Sequence, residues 1–312
     1  MTNNEQRTTN NKKVVVTGGA GFIGCHIVDV LAERGFDVHV IDNYAAGKRE
    51  ERFNPQAAYH EIDIRNAEDI APVIAGAKYV FHEAALPRVQ FSIEHPVETM
   101  AVNVNGTLNV LKAAHEGSVH RVICASSGSV YGDQPVMPLV ETMKPTPKSP
   151  YGMHKQMLEI MCGVWSEVYG LSTVALRYFN VYGPKMDPDG AYALAVGKFI
   201  KRRLLGKPMT IWGDGSHTRD FTHVRDVVRA NILAAESTTV GNGEVVNIGA
   251  GRNTSVMTLA HLIGGPMVHE PERLEPKDAL ADNSLARTLL RWKPEITLED
   301  GIAELKRLHG LP

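Results

Sequence analysis

Over the first 180 residues, short runs of β-branched residues alternate with stretches whose apolar positions recur every three or four residues. Lys12–Thr17 (KKVVVT) reads as a strand buried on both faces, because its apolar run is continuous and does not alternate with polar positions. In Phe22–Arg34, the positions Phe22, Ile23, Ile27, Val30 and Leu31 make one helical stripe, and Gly35 supplies the stop. Asp37–Ile41 predicts a second strand, and further strands are predicted at Ala58–Ile62, Tyr79–His82, Arg121–Ala125 and Ser172–Leu176. Helices are predicted between them at Asn66–Ile74, Pro96–His115 and Pro150–Tyr169. This alternation predicts the α/β class, with a doubly wound parallel sheet and right-handed crossovers.

Beyond Asn180 the pattern loosens, with Pro184, Pro188 and Pro208 interrupting it and glycine dense around Trp212–Gly215. Only two short strands are expected there, at Met209–Trp212 and Glu244–Ile248. Helices are expected near Ala191–Leu205, Val224–Ala235, Val256–Ile263 and Leu298–Leu308. The expected organisation is a first domain over 12–180 and a smaller mixed α/β lobe over 181–312 that shares strands and helices with it. Residues 1–11 are polar, rich in Asn and Thr, and lack the apolar core of a signal peptide, so they read as a disordered tail.

Composition narrows the partners. With 43 % apolar and 22 % charged residues and a formal net charge of −2, the chain has a globular composition and no field drawing it to nucleic acid or an anionic membrane. No apolar run approaches the roughly eighteen residues of a membrane span. Cys25, Cys124 and Cys162 are far apart in sequence and set among apolar neighbours, which suits packed thiols and a cytoplasmic location. His82, His120 and His154 show no metal-ligand spacing, so no metal is expected.

The strongest local signal is VVVTGGAGFIG, Val14–Gly24, which joins the first strand to the first helix. Gly18, Gly21 and Gly24 allow a tight turn, close backbone approach to a pyrophosphate and packing of helix on strand. The helix N-terminus offers free amides and a partial positive charge to the phosphates. A Rossmann-type, dinucleotide-binding first domain follows. Asp42 ends the second strand, where a carboxylate accepts both ribose hydroxyls of NAD and repels the extra phosphate of NADP; Lys48 and Arg49 are the counter-signal. Asp63 suits either the adenine amino group or a plain helix cap before Asn66.

Tyr151 and Lys155 are four apart at the start of a helix opened by Ser149-Pro150, which puts both side chains on one face. A phenol of reference pKa about 10 is a poor base at neutral pH. A neighbouring ammonium and a cationic nicotinamide are expected to favour the phenolate and make Tyr151 a general base. Ser127, in ASSGSVYG after the fifth strand, lies at the carboxyl edge of the sheet and is expected to share the proton with Tyr151. Farther on, Trp212 offers a face for a base and Arg219 a fork for a diphosphate. A surface loop with a packed Trp and an Arg–Asp pair reads equally well there.

Taken in order, TGGAGFIG, Asp42, SSGSVYG, YGMHK, RYFNVYGP (Arg177–Pro184) and GDGSHTRDFTHVRDV (Gly213–Val227) resemble the extended short-chain dehydrogenases/reductases of the nucleotide-sugar 4-epimerase type, over about Lys13–Gly310. The resemblance implies NAD as cofactor and a UDP-sugar as substrate, with Ser127, Tyr151 and Lys155 catalytic. It implies cofactor contacts at Gly18, Gly21, Phe22, Ile23, Gly24, Asp42, Asn43, Asp63, Ile64, Ala84, Ala85, Asn103, Ala125, Tyr151, Lys155 and Tyr178. It implies substrate contacts at Ser127, Ser129, Asn180, Leu194, Thr210, Trp212, Arg219 and Arg273, with Ala279 as the gate limiting bulk at the second sugar carbon. In related dehydratases the two positions after the catalytic hydroxyl are Asp and Glu, and decarboxylases carry Glu at the second; here they are Gly128 and Ser129, which favours simple epimerisation. The segment 262–279 is shorter than the family norm and contains Gly264-Gly265-Pro266, so Arg273 and Ala279 are placed by a loose alignment.

The implied reaction is C4 epimerisation of UDP-glucose/UDP-galactose, and through Ala279 of the N-acetylated pair as well. Alternatives are a UDP-glucuronate 4-epimerase, a 4-keto-reducing or decarboxylating relative, and a catalytically silent NAD-sensing regulator. The stripe Met153, Met157, Ile160, Met161 and Val164 reads as core or as the face of a homodimer, which the family commonly forms through two helices of each subunit.

Overall fold

A computed structural model describes residues 12–187, 195–271 and 278–312. The readings at residues 1–11, Leu194 and Arg273 lie outside them. The first half runs β1 (Lys13–Thr17), α1 (Phe22–Glu33), β2 (Asp37–Asp42), β3 (Ala58–Glu61), α2 (Ala67–Ile74), β4 (Tyr79–His82), α3 (Val89–Glu94), α4 (Pro96–Met100), α5 (Thr107–Glu116), β5 (Arg121–Ser127), α6 (Pro150–Tyr169) and β6 (Thr173–Tyr178). There follow β7 (Val181–Tyr182), α7 (Ala195–Leu204), β8 (Met209–Trp212), β9 (Thr218–Asp220), β10 (Thr222–His223) and α8 (Val224–Glu236). The chain ends with β11 (Asn242–Ile248), β12 (Asn253–Ser255), α9 (Val256–Ile263), β13 (Met267–Glu270), α10 (Ser284–Leu290) and α11 (Leu298–Leu308).

Seven parallel strands form the central sheet in the order β11-β6-β5-β4-β1-β2-β3. Its apolar runs are continuous because both faces are covered. Val14 and Val16 of β1 pack with Ile27, Val28 and Leu31 of α1, and with α8 and Trp292. Val15 packs on the other face with Ile70 and Ile74 of α2, Leu111 of α5, and Leu158 and Cys162 of α6. The chain builds outward from β1 through β2 to β3, then from β4 through β5 and β6 to β11. The ends of β1 and β4 therefore flank a crevice where the strand order reverses, the usual ligand position in such sheets.

Three expectations change. The helix predicted over 96–115 is interrupted by a π-helical stretch, Ala101–Gly106, between α4 and α5. There Asn103 turns its side chain to brace the backbone of Leu86, accepting from its amide at 2.7 Å and donating to its carbonyl at 3.0 Å. The second lobe carries more strands than expected: two-stranded pairings β7–β10, β9–β12 and β8–β13 surround a core of Tyr182, Phe199, Ile211, Leu259 and Ile302. The short segment at Gly264-Gly265-Pro266 is the tight entry to β13, where the Pro266 carbonyl accepts from Met209. The Met-rich stripe of α6 is split: Met161 packs, partly buried, against the core that Leu158, Cys162 and Trp165 fill, while Met153, Ile160 and Val164 are exposed.

One buried ion pair fastens α6 to the sheet. Arg177 on β6 donates two bonds of 2.7 Å to the Glu159 carboxylate on α6, and Ser126 on β5 donates a third of 2.5 Å. Both charged side chains are nearly solvent-free, at 3 % and 6 % exposure, so removing one partner strands a charge in the interior. Arg177→Met should cost about 3–5 kcal/mol in urea unfolding, and adding Glu159→Leu should restore much of it. A single-variant loss below about 1 kcal/mol, the range of surface pairs, would contradict this reading of the pair.

Candidate active site

The crevice is built from three strand ends. After β1, Gly18 adopts φ +70° and lies so close to the loop after β4 that a Cβ there would fall 2.7 Å from the Ala84 amide nitrogen. A Cβ on Gly24 would fall 2.2 Å from the Gly18 carbonyl oxygen, and one on Gly21 3.0 Å from the same oxygen. No side chain caps α1, so the amides of its first turn, at Phe22, Ile23 and Gly24, face the crevice as an anion cradle. Asp42 at the end of β2 accepts from the amides of Ala20 (3.0 Å) and Tyr44 (2.8 Å), which fixes its carboxylate at the rim of the glycine loop. The two cations that argued for a 2′-phosphate are already paired, Lys48 with Glu61 at 2.7 Å and Arg49 with Asp187 at 2.5 Å.

Asp63 is neither free nor a helix cap. The Arg65 guanidinium and the Asn43 amide hold its carboxylate, and the Arg65 fork lowers its pKa to about 2. Ile64 is buried and sits against Gly106, while Ala84 and Ala85 line the loop after β4. His82 is locked between the hydroxyls of Thr17 (2.8 Å) and Thr107 (2.9 Å), where burial depresses its pKa to about 3, a structural role.

At the next strand end, Ser127 closes β5 and its Oγ accepts from the Ser129 amide (3.2 Å) and hydroxyl (3.0 Å). Tyr151 and Lys155 face it from α6, and both are buried. The Lys155 Nζ donates to the Ala125 carbonyl at 2.6 Å and lies 5.8 Å from the Tyr151 ring centre. The expected acidification of Tyr151 is not a property of these side chains alone. Burial pushes its phenol up to about 12; the Ser127 hydroxyl opposes that and the Glu83 carboxyl reinforces it. Lys155 is shifted the other way, downward, by burial. Tyr178 ends β6 opposite Ser127, and its hydroxyl is tied to Glu83 (2.7 Å) and Asn231.

Sequence reasoning missed Ser92, a fully buried residue of α3. Its hydroxyl accepts from the Tyr151 amide at 3.1 Å while donating to the Val89 carbonyl, so it joins Ser149 in satisfying the first amides of α6. The signal available was Ser92 four residues before Pro96, which carries no meaning until the fold brings α3 onto α6.

The residues expected to hold substrate lie on the second lobe's side. Asn180 takes φ +29°, with its side-chain amide on the Asp220 carbonyl at 3.2 Å. Arg219 is on β9 and donates to the Thr218 carbonyl at 2.9 Å; Thr210 and Trp212 are half-buried on β8 beside β13. Asp220 turns inward and accepts the amides of Ala250, Gly251 and Ala281, and burial raises its carboxyl to about 6. Those bonds, with the Leu139–Ala281 bridge, pin the strand of chain that carries Ala279. Among the described residues no group of three or more His, Cys, Asp and Glu side chains gathers to hold a metal, and no helix is long and apolar enough to cross a membrane.

A glycine cradle at the switch point, with Ser, Tyr and Lys at the adjoining strand end, defines a dinucleotide-dependent short-chain dehydrogenase/reductase. Residues 14–249 match the NAD dependent epimerase/dehydratase family, and the chain belongs to that family. A UDP-glucose 4-epimerase of Mycolicibacterium smegmatis is 36 % identical over 304 residues, covering 93 % of this chain and 96 % of the relative. Among solved structures, UDP-glucose 4-epimerase of Thermotoga maritima with UDP-glucose superposes with a TM-score of 0.88 at 38 % identity, over 95 % of this chain and 99 % of that one. UDP-N-acetylglucosamine 4-epimerase of Methanobrevibacter ruminantium, in complex with UDP-N-acetylmuramic acid, gives 0.89 at 35 %, over 96 % and 99 %. NAD is the cofactor that defines the family.

Gly24→Ala tests the cradle. It should abolish NAD binding measured by calorimetry, because the added methyl meets backbone that cannot retreat. Wild-type affinity in that variant would contradict the placement.

Proposed function

We propose that the protein inverts carbon 4 of a UDP-linked hexose, interconverting UDP-glucose and UDP-galactose and also their N-acetylated counterparts. The observation that carries this reading is the meeting of Ser127, Tyr151 and Lys155 beside the glycine cradle, with Gly128 and Ser129 where eliminating and decarboxylating relatives need an acid. The chain fits NAD: the uncapped first turn of α1 receives the diphosphate, and the fixed Asp42 carboxylate receives the ribose hydroxyls. Pairing of Lys48 and Arg49 leaves neither to seek the phosphate of NADP. When bound, NAD supplies the hydride acceptor and donor for C4.

The chain's own residues handle the proton and the position. Tyr151 takes the 4-hydroxyl proton, with Ser127 bridging the two oxygens, and Lys155 holds positive charge behind the phenol. Asn180 and Arg219 hold the diphosphate, Thr210 and Trp212 the uracil, and Ser129 touches the sugar. Firm nucleotide contacts and sparse sugar contacts let the flat 4-keto sugar turn about its linkage before the proton returns. We also assign a homodimer, formed through the exposed apolar positions Leu108 of α5 and Ile160, Val164 and Val168 of α6.

Incubating the purified protein with a panel of UDP-sugars and reading C4 configuration by NMR tests the reaction. Tyr151→Phe should lower kcat by about 10²–10⁴-fold with little change in KM. No inversion of any UDP-sugar would overturn the reading. For the gate, Ala279→Tyr should reduce kcat/KM on the N-acetylated pair by about tenfold or more and spare the plain hexoses; equal effects on both would remove Ala279 from that role.

A further inference from the structure

Glu83 is an acid next to the catalytic pair to which the reaction above gives no part. It directly follows β4, whose register sets His82 beside Cys124 of β5, so Glu83 stands at the level of Ala125. The Ala125 carbonyl is the one that receives the Lys155 ammonium at 2.6 Å. From β6, Tyr178 donates its hydroxyl to Glu83 at 2.7 Å, and Asn231 of α8 holds that hydroxyl in turn at 2.8 Å. The Glu83 carboxyl is thus aimed by the Tyr178 hydroxyl, which Asn231 holds from behind. We propose that Glu83 is the counter-charge of the Tyr151–Lys155 pair, a positioning residue that holds the proton on each of them and so sets the pH range in which the pair works. The inference rests on the epimerase reading for its consequence in turnover, though not for the charge coupling itself.

The electrostatics agree with the geometry. Glu83 is the largest favourable influence on the Lys155 ammonium, against burial, and it also raises the Tyr151 phenol. Burial lifts Glu83 itself to about 7, while Tyr178 and Lys155 pull it back. The other titratable groups facing the pair are Cys124 of β5, Cys162 and Glu159 of α6, His82 of β4 and His154 of α6. The Cys124 thiol is held neutral by its hydrogen bond with Cys162 and by burial, the imidazoles are pushed toward neutrality, and Glu159 is spoken for by Arg177. That leaves Glu83 as the carboxylate not already matched to a cation.

The sign is fixed by Coulomb's law. A negative neighbour favours the ammonium and disfavours the phenolate, so its removal lowers both pKa values. Glu83→Gln keeps an acceptor for Tyr178 and removes the charge. In the NAD-saturated protein, both limbs of the kcat profile should move down by about one pH unit, the acid limb with the Tyr151 phenol that must lose its proton and the alkaline limb with the Lys155 ammonium. Independently of turnover, the tyrosinate difference spectrum that Tyr151→Phe abolishes should titrate at lower pH in Glu83→Gln than in the wild type. A midpoint unmoved or raised in Glu83→Gln overturns the proposal. If the wild type inverts no UDP-sugar, the functional reading falls while the spectroscopic titration still decides on Glu83.

Discussion

The site depends on one attachment, the seating of α6 against the carboxyl ends of β5 and β6. Tyr151 and Lys155 are one turn apart on that helix, and the Ser127 hydroxyl they face is on a strand. Three contacts hold α6 in place: Lys155 to the Ala125 carbonyl of β5, Glu159 to Arg177 of β6 and Ser126 of β5, and the Tyr151 amide to Ser92 of α3. All three are buried, so each is strengthened by low dielectric and each is damaging to lose. Ser126, which takes part in the second, is the neighbour of Ser127. The Ser127 hydroxyl and the helix that carries Tyr151 and Lys155 are therefore fixed by the same few atoms.

The parallel sheet makes the rest possible. Its reversal of order at β1 and β4 opens one crevice, and the residues expected to touch the cofactor come from the strand ends, the loops after them and the helices α1 and α6 beside it. Beyond β6, most of the short strand pairs gather around an apolar cluster of their own. Asp220 is the second lobe's hinge of hydrogen bonds, gathering the chain at Ala250, Gly251 and Ala281 into one place. A rigid cradle for the nucleotide and a sugar that touches little are the two conditions an epimerase of this kind requires.

Much of this was legible in the sequence because parallel strands and amphipathic helices leave long, regular signals. The central strands fall within one or two residues of expectation, and α6, α9 and α11 end where their patterns end. Of the short strands in the second lobe, Met209–Trp212 was read at its observed bounds, but β7, β9, β10, β12 and β13 were not, since segments of two to four residues have almost no period to read. The helix over 96–115 looked continuous because a π-helical insertion keeps apolar residues coming while shifting the face they occupy. Tyr151, Lys155 and Ser127 were found through spacing and strand position. Ser92 and Glu83 were missed because their roles come from elements far apart in the chain. The phenol was expected to be acidified by Lys155 together with a cationic nicotinamide; in the chain's own side chains burial raises Tyr151, and the ammonium points at Ala125.

A UDP-hexose deuterated at C4, with the label followed by NMR in both epimers through approach to equilibrium in ordinary water, shows whether C4 is oxidised and reduced again within one closed site. Under the proposed reaction the deuterium stays on C4 in substrate and product alike. Loss of the label to solvent in step with inversion would contradict it, since the carbon would then be exchanging its hydrogen as a proton with water.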